Sequence, residues 1–181
     1  MPPTESAVLV ALPEAEDVVG RFRARLDRSA VWGVPPHVTV LYPFVVPDAI
    51  DKPVLDRLAE AVGSVSAFDV TLVRISWFGD DLLWLVPEPD HPFRALTTAV
   101  SSHFPDHPPY GGAHADPVPH LTVGHDAPVE VLRAAAEAIR PLLPIRARIT
   151  TVHLMQGSPA AASWHTVAAL PLAAAVGSNG L

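Results

Sequence analysis

Apolar positions along the chain follow two periods, one typical of helices and one typical of strands. Stretches with apolar residues three and four apart predict helices that begin near positions 13, 53, 92 and 128. Runs rich in β-branched and aromatic residues predict strands at 7–12, 37–44, 68–78, 82–86, 120–125, 146–155 and 164–170. Gly79-Asp80-Asp81 predicts a hairpin turn, and Asp126 is a candidate N-cap for the last helix, 128–140.

The order strand, helix, strand, helix, strand therefore occurs twice, which indicates an internal repeat. FRARL, beginning at Phe22, precedes one copy of a five-residue motif, and FRALT, beginning at Phe93, precedes the other. The two copies are Pro36-His37-Val38-Thr39-Val40 and Pro119-His120-Leu121-Thr122-Val123. The second copy is set further from its helix by a loop at 105–117 that is rich in Pro, Gly and His. We expect two related lobes with pseudo-twofold symmetry, each contributing one His-x-Thr strand.

Each motif separates polar from apolar side chains. On a strand, His37 and Thr39 point to one side while the intervening valines point to the other, and the same holds for His120 and Thr122. The apolar pair anchors the strand to a core, and the polar pair faces a surface or a cleft. For a single histidine a hydrogen-bonded structural role is the simpler interpretation. Two matched pairs in matched contexts favour a functional site.

Two histidines that face each other across a groove suit acid–base catalysis near neutral pH. One neutral imidazole can accept a proton from a nucleophile while one imidazolium donates a proton to a leaving oxygen, as displacement at phosphorus requires. The threonine hydroxyls can donate hydrogen bonds to non-bridging phosphate oxygens and stabilise the developing charge. This chemistry requires no metal, and we expect no cofactor.

Composition narrows the expected class. The 181 residues include 49% hydrophobic and 17% charged residues, enough apolar material for a packed interior. With the internal repeat, this predicts one bilobal domain over 1–172, and the final AAAVGSNGL predicts a flexible tail over 173–181. The net charge of -7 argues against a large basic surface for long nucleic acid, but allows a small nucleotide or an RNA end as substrate. No obligate protein partner is evident. The absence of Cys excludes disulfides and thiolate sites. The N-terminus is not typical of a signal peptide and no apolar stretch suits a membrane span, so a cytoplasmic protein is expected.

The segments HVTVLYPF and HLTVGH resemble the paired His-x-Thr motifs of the 2H phosphoesterase superfamily, in particular its 2′-5′ RNA ligase-like (LigT-like) branch. The resemblance implies a bilobal α+β fold, with antiparallel sheets lining a central groove and helices outside. It implies metal-independent hydrolysis of 2′,3′-cyclic phosphates or related phosphodiesters, and in some members joining of RNA ends through a 2′-5′ bond.

Carried over to matching positions, the resemblance makes His37 and His120 the acid–base pair and Thr39 and Thr122 the phosphate clamp. In this family the second histidine, here His120, is often the base for hydrolysis, and the first, here His37, is the acid. We leave this assignment open at this point. Some relatives place an arginine shortly after the second motif, where this chain has His125. The alternative is a non-catalytic module that binds a nucleotide or RNA in the same groove.

Other residues have two interpretations each. Tyr42 and Phe44 could stack on a base at the groove edge or pack in the core. Tyr110 in the long loop could close over a ligand or be a plain surface residue. Three histidines in or near the long loop could be metal ligands of a metal-dependent hydrolase or plain solvated residues. They are His103, His107 and His114. A solvated basic face is favoured over phosphate binding for the arginines of the first helix, Arg21, Arg23, Arg25 and Arg28.

Overall fold

A computed structural model describes residues 1–175. The strands are β1 Glu5–Ala11, β2 His37–Leu41, β3 Phe68–Phe78, β4 Leu82–Glu88, β5 Leu121–His125, β6 Ile145–Ile149, β7 Thr151–Gly157 and β8 His165–Pro171. The helices are α1 Glu16–Leu26, α2 Arg28–Trp32, α3 Lys52–Gly63, α4 His91–His103 and α5 Val129–Ile139. Among the described residues no helix has the length and apolar character that a membrane crossing requires.

All eight strands form one antiparallel sheet in the order β6-β3-β4-β5-β2-β1-β7-β8. The two motif strands, β2 and β5, are the central pair. One lobe consists of β2, β1, β7 and β8, and the other consists of β5, β4, β3 and β6. This arrangement confirms the predicted α+β fold with two pseudo-symmetric lobes, each of which contributes one His-x-Thr strand.

The lobes are not the two halves of the chain, because each half sends a strand into the lobe of the other half. β3 pairs with β4 of the second repeat, and β7 pairs with β1 of the first. The helices cross in the same way, since α1 packs on β5 and α4 packs on β2. The Thr97 hydroxyl of α4, for example, donates a 2.8 Å hydrogen bond to the Val40 carbonyl of β2. Each motif strand is therefore supported by the helix of the other repeat.

The predicted strand 146–155 was wrong as a single element. The chain leaves the sheet at Thr150, so that β6 pairs with β3 at one edge while β7 pairs with β1 in the other lobe. The predicted strand 37–44 ends at Leu41, where Pro43, which has no N–H for a ladder, follows closely. Most predicted helices and the β3–β4 hairpin are confirmed, within a few residues.

Two further expectations need correction, the N-cap of α5 and the solvated basic face of the first helix. Asp126 does not cap α5, because the N-cap of this helix is Pro128. Asp126 has a φ of 57°, and its carboxylate accepts a 2.9 Å hydrogen bond from Arg28. Arg23 is not on a solvated face but is 1% exposed. Arg28 lies on α2, a short helix that the sequence analysis did not predict. Of the predicted tail, Ala173 forms a bridge with Ser66, and residues 176–181 lie outside the described part of the chain.

Candidate active site

The two motif strands place the four predicted side chains together. β2 and β5 run antiparallel, with the residue after each histidine opposite its counterpart. In this register His37 lies opposite Thr122, and Thr39 lies opposite His120. In such a ladder, opposed Cβ atoms are about 4.5–5.5 Å apart and diagonal Cβ atoms about 7–8 Å apart. The two histidines therefore occupy one diagonal of a compact four-residue site, and the two threonines occupy the other.

The other side of the motif strands is buried in the core. Val38 and Leu121 are 0% exposed, and the apolar residues two positions further along are equally enclosed. His37, Thr39, His120 and Thr122 are all partly exposed. The alternation inferred from the motif is thus present in the structure, and the polar side chains lie on the open face of the sheet.

Both imidazole rings are held in the same way. Nδ1 of His37 is 2.8 Å from the Pro35 carbonyl oxygen, and Nδ1 of His120 is 2.7 Å from the Val118 carbonyl oxygen. A carbonyl oxygen only accepts, so Nδ1 carries the hydrogen in both rings. In the neutral rings Nε2 is therefore the unprotonated nitrogen, and it is available to a ligand.

The electrostatic surroundings of the two rings differ. Burial lowers the pKa of His37 to about 4, and the positive charge of Arg23 acts in the same direction. The hydrogen bond to Pro35 and the charge of Asp27 oppose this shift, and His120 lowers the pKa further. Burial also lowers the pKa of His120, opposed by its hydrogen bond to Val118.

Two stacked aromatic side chains lie beside His120. Phe78 and Trp84, from the β3–β4 hairpin, stack with ring centroids 4.6 Å apart. His120 meets both rings edge-on, at 5.2 Å from Phe78 and 5.8 Å from Trp84. Phe78 also lines a cavity of about 560 Å³ next to His120, with Tyr110 on the loop side. This cavity offers an aromatic surface to a group attached to the phosphorus.

A second cavity of about 300 Å³ lies beside His37 in the other lobe. Trp32 of α2, Tyr42 and Trp164 line it, together with Leu9 of β1. Trp164 is 8% exposed and its Nε1 donates a 3.1 Å hydrogen bond to the Ser158 carbonyl. The open face thus has an apolar, aromatic cavity on each side of the histidine pair.

His125 reaches both cavities because of an irregularity in β5. The pairing of β4 with β5 shifts by one residue between Leu83 and Trp84. A Cβ on Gly124 would lie 2.7 Å from Leu132 Cδ2, so Gly124 faces the helices. His125 is thereby turned to the open face and lines both cavities. Beyond it, the Arg28–Asp126 ion pair joins α2 to the end of β5.

The three aromatic candidates of the sequence analysis, Tyr42, Phe44 and Tyr110, separate in the structure. Tyr42 lines the smaller cavity and Tyr110 lines the larger one. The Tyr110 backbone N–H donates a 2.6 Å hydrogen bond to the Tyr42 carbonyl. Burial raises the pKa of the Tyr110 hydroxyl, and the nearby Thr39 side chain opposes this shift. Phe44 is instead 4% exposed and packs edge-on against Phe104, the packing alternative. Binding roles for the two tyrosines stay predictions.

The loop histidines do not come together. His103 Nδ1 contacts the Ala99 carbonyl, His107 lies near the Phe44 ring, and His114 meets Tyr110 edge-on. Within residues 1–175, the one group of three potential metal ligands is a different one, Asp81, His125 and Asp126, all exposed. The loop histidines therefore give no support to the metal-dependent alternative.

Several groove residues were missed by the sequence analysis, although signals for them exist. Asp27 caps α2 by accepting from the Ser29 N–H, and Gly33 ends it at a φ of 101°. An Asp at the N-cap and a Gly just past the C-terminus, six residues apart, are typical of a short helix. This helix places Trp32 beside the groove. Trp84 is an exception: it lies on the face opposite that of the buried Leu83 and Leu85, but the run LLWLV is apolar throughout and does not reveal this.

Comparisons with known proteins agree with this arrangement. A family model described as "2'-5' RNA ligase superfamily" matches residues 11–159. Among solved structures, apo E. coli LigT matches with a TM-score of 0.61 at 19% identity, covering 96% of this chain and 99% of that one. E. coli LigT complexed with 3′-AMP matches with a TM-score of 0.59 at 17% identity, covering 94% and 99%. A structure described as a phosphoesterase matches with a TM-score of 0.59 at 17% identity, covering 95% and 99%.

No curated protein gives a significant match. The solved structures share the fold at low identity, and the family model covers most of the chain. The chain belongs to the 2′-5′ RNA ligase superfamily, and it shares its fold with E. coli LigT and with the structure described as a phosphoesterase.

Proposed function

We propose that the chain is a metal-independent phosphodiesterase that opens 2′,3′-cyclic phosphates of nucleotides or RNA ends by two-histidine acid–base catalysis. The observation that carries the proposal is the diagonal placement of His37 and His120, each with Nδ1 bound to a backbone carbonyl and Nε2 available. The opposed threonines supply hydroxyl donors between the two rings. These four groups are proton-transfer groups and hydrogen-bond donors, not the carboxylates that hold catalytic Mg²⁺.

The reaction balances with these groups alone. A water oxygen attacks phosphorus as one histidine Nε2 accepts its proton, and the bond from phosphorus to one ribose oxygen breaks. The other histidine, protonated at Nε2, donates its proton to that leaving oxygen. The hydroxyls of Thr39 and Thr122 donate hydrogen bonds to the non-bridging oxygens as their charge increases. With a ribose hydroxyl of a second RNA end in the place of water, the same steps in the same direction join the two ends: the hydroxyl oxygen bonds to phosphorus, the ring P–O bond breaks, and the leaving ribose oxygen takes up the proton. Ligation therefore stays within the proposal.

The surroundings favour one assignment of the two roles. Burial lowers the pKa of both histidines, and the positive charge of Arg23 lowers that of His37 further, whereas within residues 1–175 no cation adds to the shift of His120. His37 is thus suited to accept the proton and His120 to hold the proton that is donated. This is the reverse of the order that the family resemblance suggested. For hydrolysis we therefore assign His37 as the base and His120 as the acid.

The substrate fits a nucleotide better than a long polymer. Aromatic side chains line a cavity on each side of the histidines, Phe78 and Tyr110 on one and Trp32 on the other. The net charge of -7 disfavours extended phosphate binding. The similar protein E. coli LigT has been crystallised with 3′-AMP, which supports a nucleotide in such a groove.

Phosphorus NMR with 2′,3′-cyclic mononucleotides in excess EDTA tests the proposal. Wild-type protein should open the ring, and His37→Ala and His120→Ala should each lose at least about a hundredfold in rate. His91→Ala, which removes an exposed histidine at the start of α4, is the matched control and should retain the wild-type rate.

Two other outcomes identify the alternatives. Binding of the nucleotide without turnover, seen as a rise in melting temperature, would favour the non-catalytic module. Loss of turnover in EDTA, restored by a divalent cation, would favour a metal-dependent hydrolase and contradict the proposal.

A further inference from the structure

Arg23, in the FRARL segment of the internal repeat, is a buried cation outside the four-residue site. Its side chain is 2% exposed and pairs with Asp27 at 3.0 Å. Nη2 also donates to Ser29 Oγ at 3.1 Å and to the Val34 carbonyl at 3.2 Å. Taking a guanidinium out of water is costly even when it is paired. The set of partners indicates that this cost is offset by holding a particular backbone segment in place.

That segment leads directly into the first motif. Pro35 and Pro36 have no backbone N–H, so few hydrogen bonds can fix the chain between Val34 and His37. The Val34 N–H donates to the Ser29 carbonyl at 2.9 Å, and the Pro36 carbonyl accepts from Leu12 at 2.7 Å.

Between these two bonds, Arg23 holds the Val34 carbonyl. The next carbonyl, that of Pro35, is the one that accepts from Nδ1 of His37. A shift of Val34 would therefore move the acceptor that orients the imidazole.

The repeat provides an internal comparison. FRALT places Arg94 at the position that matches Arg23, but Arg94 is 34% exposed and binds the carboxylates of Asp90 and Asp116 at 2.8 and 2.6 Å. Asp116 is itself 83% exposed. No hydrogen bond from Arg94 to the backbone just before His120 is found within the described residues. The chain thus has a buried arginine bonded to the backbone just before the first motif and, at the matching position of the repeat, a partly exposed arginine bonded to two carboxylates.

We propose that Arg23 is the positioning residue of His37, because it fixes the Val34–Pro36 segment whose carbonyl orients the ring and places a positive charge behind it. The orienting role concerns the protein itself, and only its effect on turnover rests on the proposed function. Other titratable or charged groups around His37 belong to several elements, and they are Asp27, Arg28, Tyr42, His120 and His125.

Two substitutions separate the two parts of this role. Arg23→Met removes both the charge and the hydrogen bonds, whereas Arg23→Lys keeps the charge but cannot reach three acceptors with a planar fork. Arg94→Met is the matched control at the repeat-equivalent position. The readouts are the histidine ring NMR titration of the protein without substrate, with His37 assigned from His37→Asn, and kcat and KM for a 2′,3′-cyclic mononucleotide.

Arg23→Met should raise the titration midpoint of His37 by about one pH unit or more, since it removes a nearby positive charge. Arg23→Lys should keep the midpoint within about half a unit of wild type. Both variants should lower kcat about tenfold or more with KM within about twofold, the signature of a misplaced catalytic group. Arg94→Met should change none of these quantities.

An unchanged midpoint in Arg23→Met, or a wild-type kcat in both Arg23 variants, would overturn the proposal. If Arg23→Met does not fold, Arg23→Lys alone decides. A wild-type kcat in this variant, which has one amine in place of the planar guanidinium group, would refute the positioning role of Arg23. If wild-type protein opens no cyclic phosphate, the proposed function fails, and the NMR titration of Arg23→Met still decides whether Arg23 acts on His37.

Discussion

The low pKa of His37 makes the stability of the fold depend on pH. An unfolded chain binds a proton at the ordinary histidine pKa of 6.5, whereas folded His37 binds it at about 4. Between pH 6.5 and pH 4 the unfolded state therefore holds more protons. The unfolding free energy must fall as the pH is lowered through this window, and the loss from this residue is complete below pH 4.

The size of the effect follows from the difference between the two pKa values. One pKa unit corresponds to about 1.4 kcal/mol, so His37 accounts for a loss of about 3 kcal/mol in full and about 2 kcal/mol between pH 7 and pH 5. His37→Asn removes the titrating ring and keeps an N–H donor for the Pro35 carbonyl. Urea unfolding monitored by tryptophan fluorescence at pH 7 and pH 5 measures the difference.

The variant should lose about 2 kcal/mol less than wild type between the two pH values. Other titrating groups, including His120 and His153, whose pKa values burial also lowers, are present in both proteins and cancel in the comparison. An exposed control, His91→Asn, reports any effect of the substitution itself. If wild type and His37→Asn lose the same stability within about 0.5 kcal/mol, His37 is not held in a site that disfavours its protonated form.

Three further predictions concern the site and its support. Thr39→Val and Thr122→Val should each lower kcat about 10- to 100-fold, with KM and melting temperature nearly unchanged, because one hydroxyl donor to the transition state is lost. Steady-state kinetics with a cyclic mononucleotide measures this, and a rise in KM alone would contradict the transition-state role. Phe78→Ala should raise KM about tenfold, because the nucleobase of the substrate would lose its stacking partner at the larger cavity. An unchanged KM would mean that the nucleobase binds elsewhere. Gly124→Ala should destabilise the fold by about 1–3 kcal/mol in urea unfolding, because the new Cβ would lie 2.9 Å from Leu26 Cβ of α1 and 2.7 Å from Leu132 Cδ2 of α5. A neutral effect would mean that both helices shift at little cost.

The central part of the site could be predicted because it depends on local rules. Strand alternation determines which side of β2 and β5 is apolar, and the structure buries Val38 and Leu121 as that rule requires. The internal repeat correctly predicted two related motif strands. Their direct pairing, with His37 opposite Thr122, depends on the sheet order and could not be derived from the segments alone.

The errors have a common origin in contacts between distant parts of the chain. Residues 146–155 have one continuous strand pattern, yet β6 and β7 pair with different neighbours in different lobes. Arg23 has the position of a solvated helix residue, but α2 folds over it and supplies Ser29 as a partner. Asp126 has the sequence position of an N-cap, but Arg28, 98 residues earlier, binds its carboxylate. Such partners are set by the tertiary fold and leave no mark in the local pattern.

The central claim is that His37 and His120 act as one catalytic unit on a phosphoryl group between them. The most direct test is the rate of 2′,3′-cyclic phosphate opening, in EDTA, by wild type, His37→Ala, His120→Ala and the double variant. Groups that act in the same step are not additive, so the double variant should be at most about tenfold slower than the slower single variant. Single variants that retain the wild-type rate, or losses that multiply in full in the double variant, would contradict the claim.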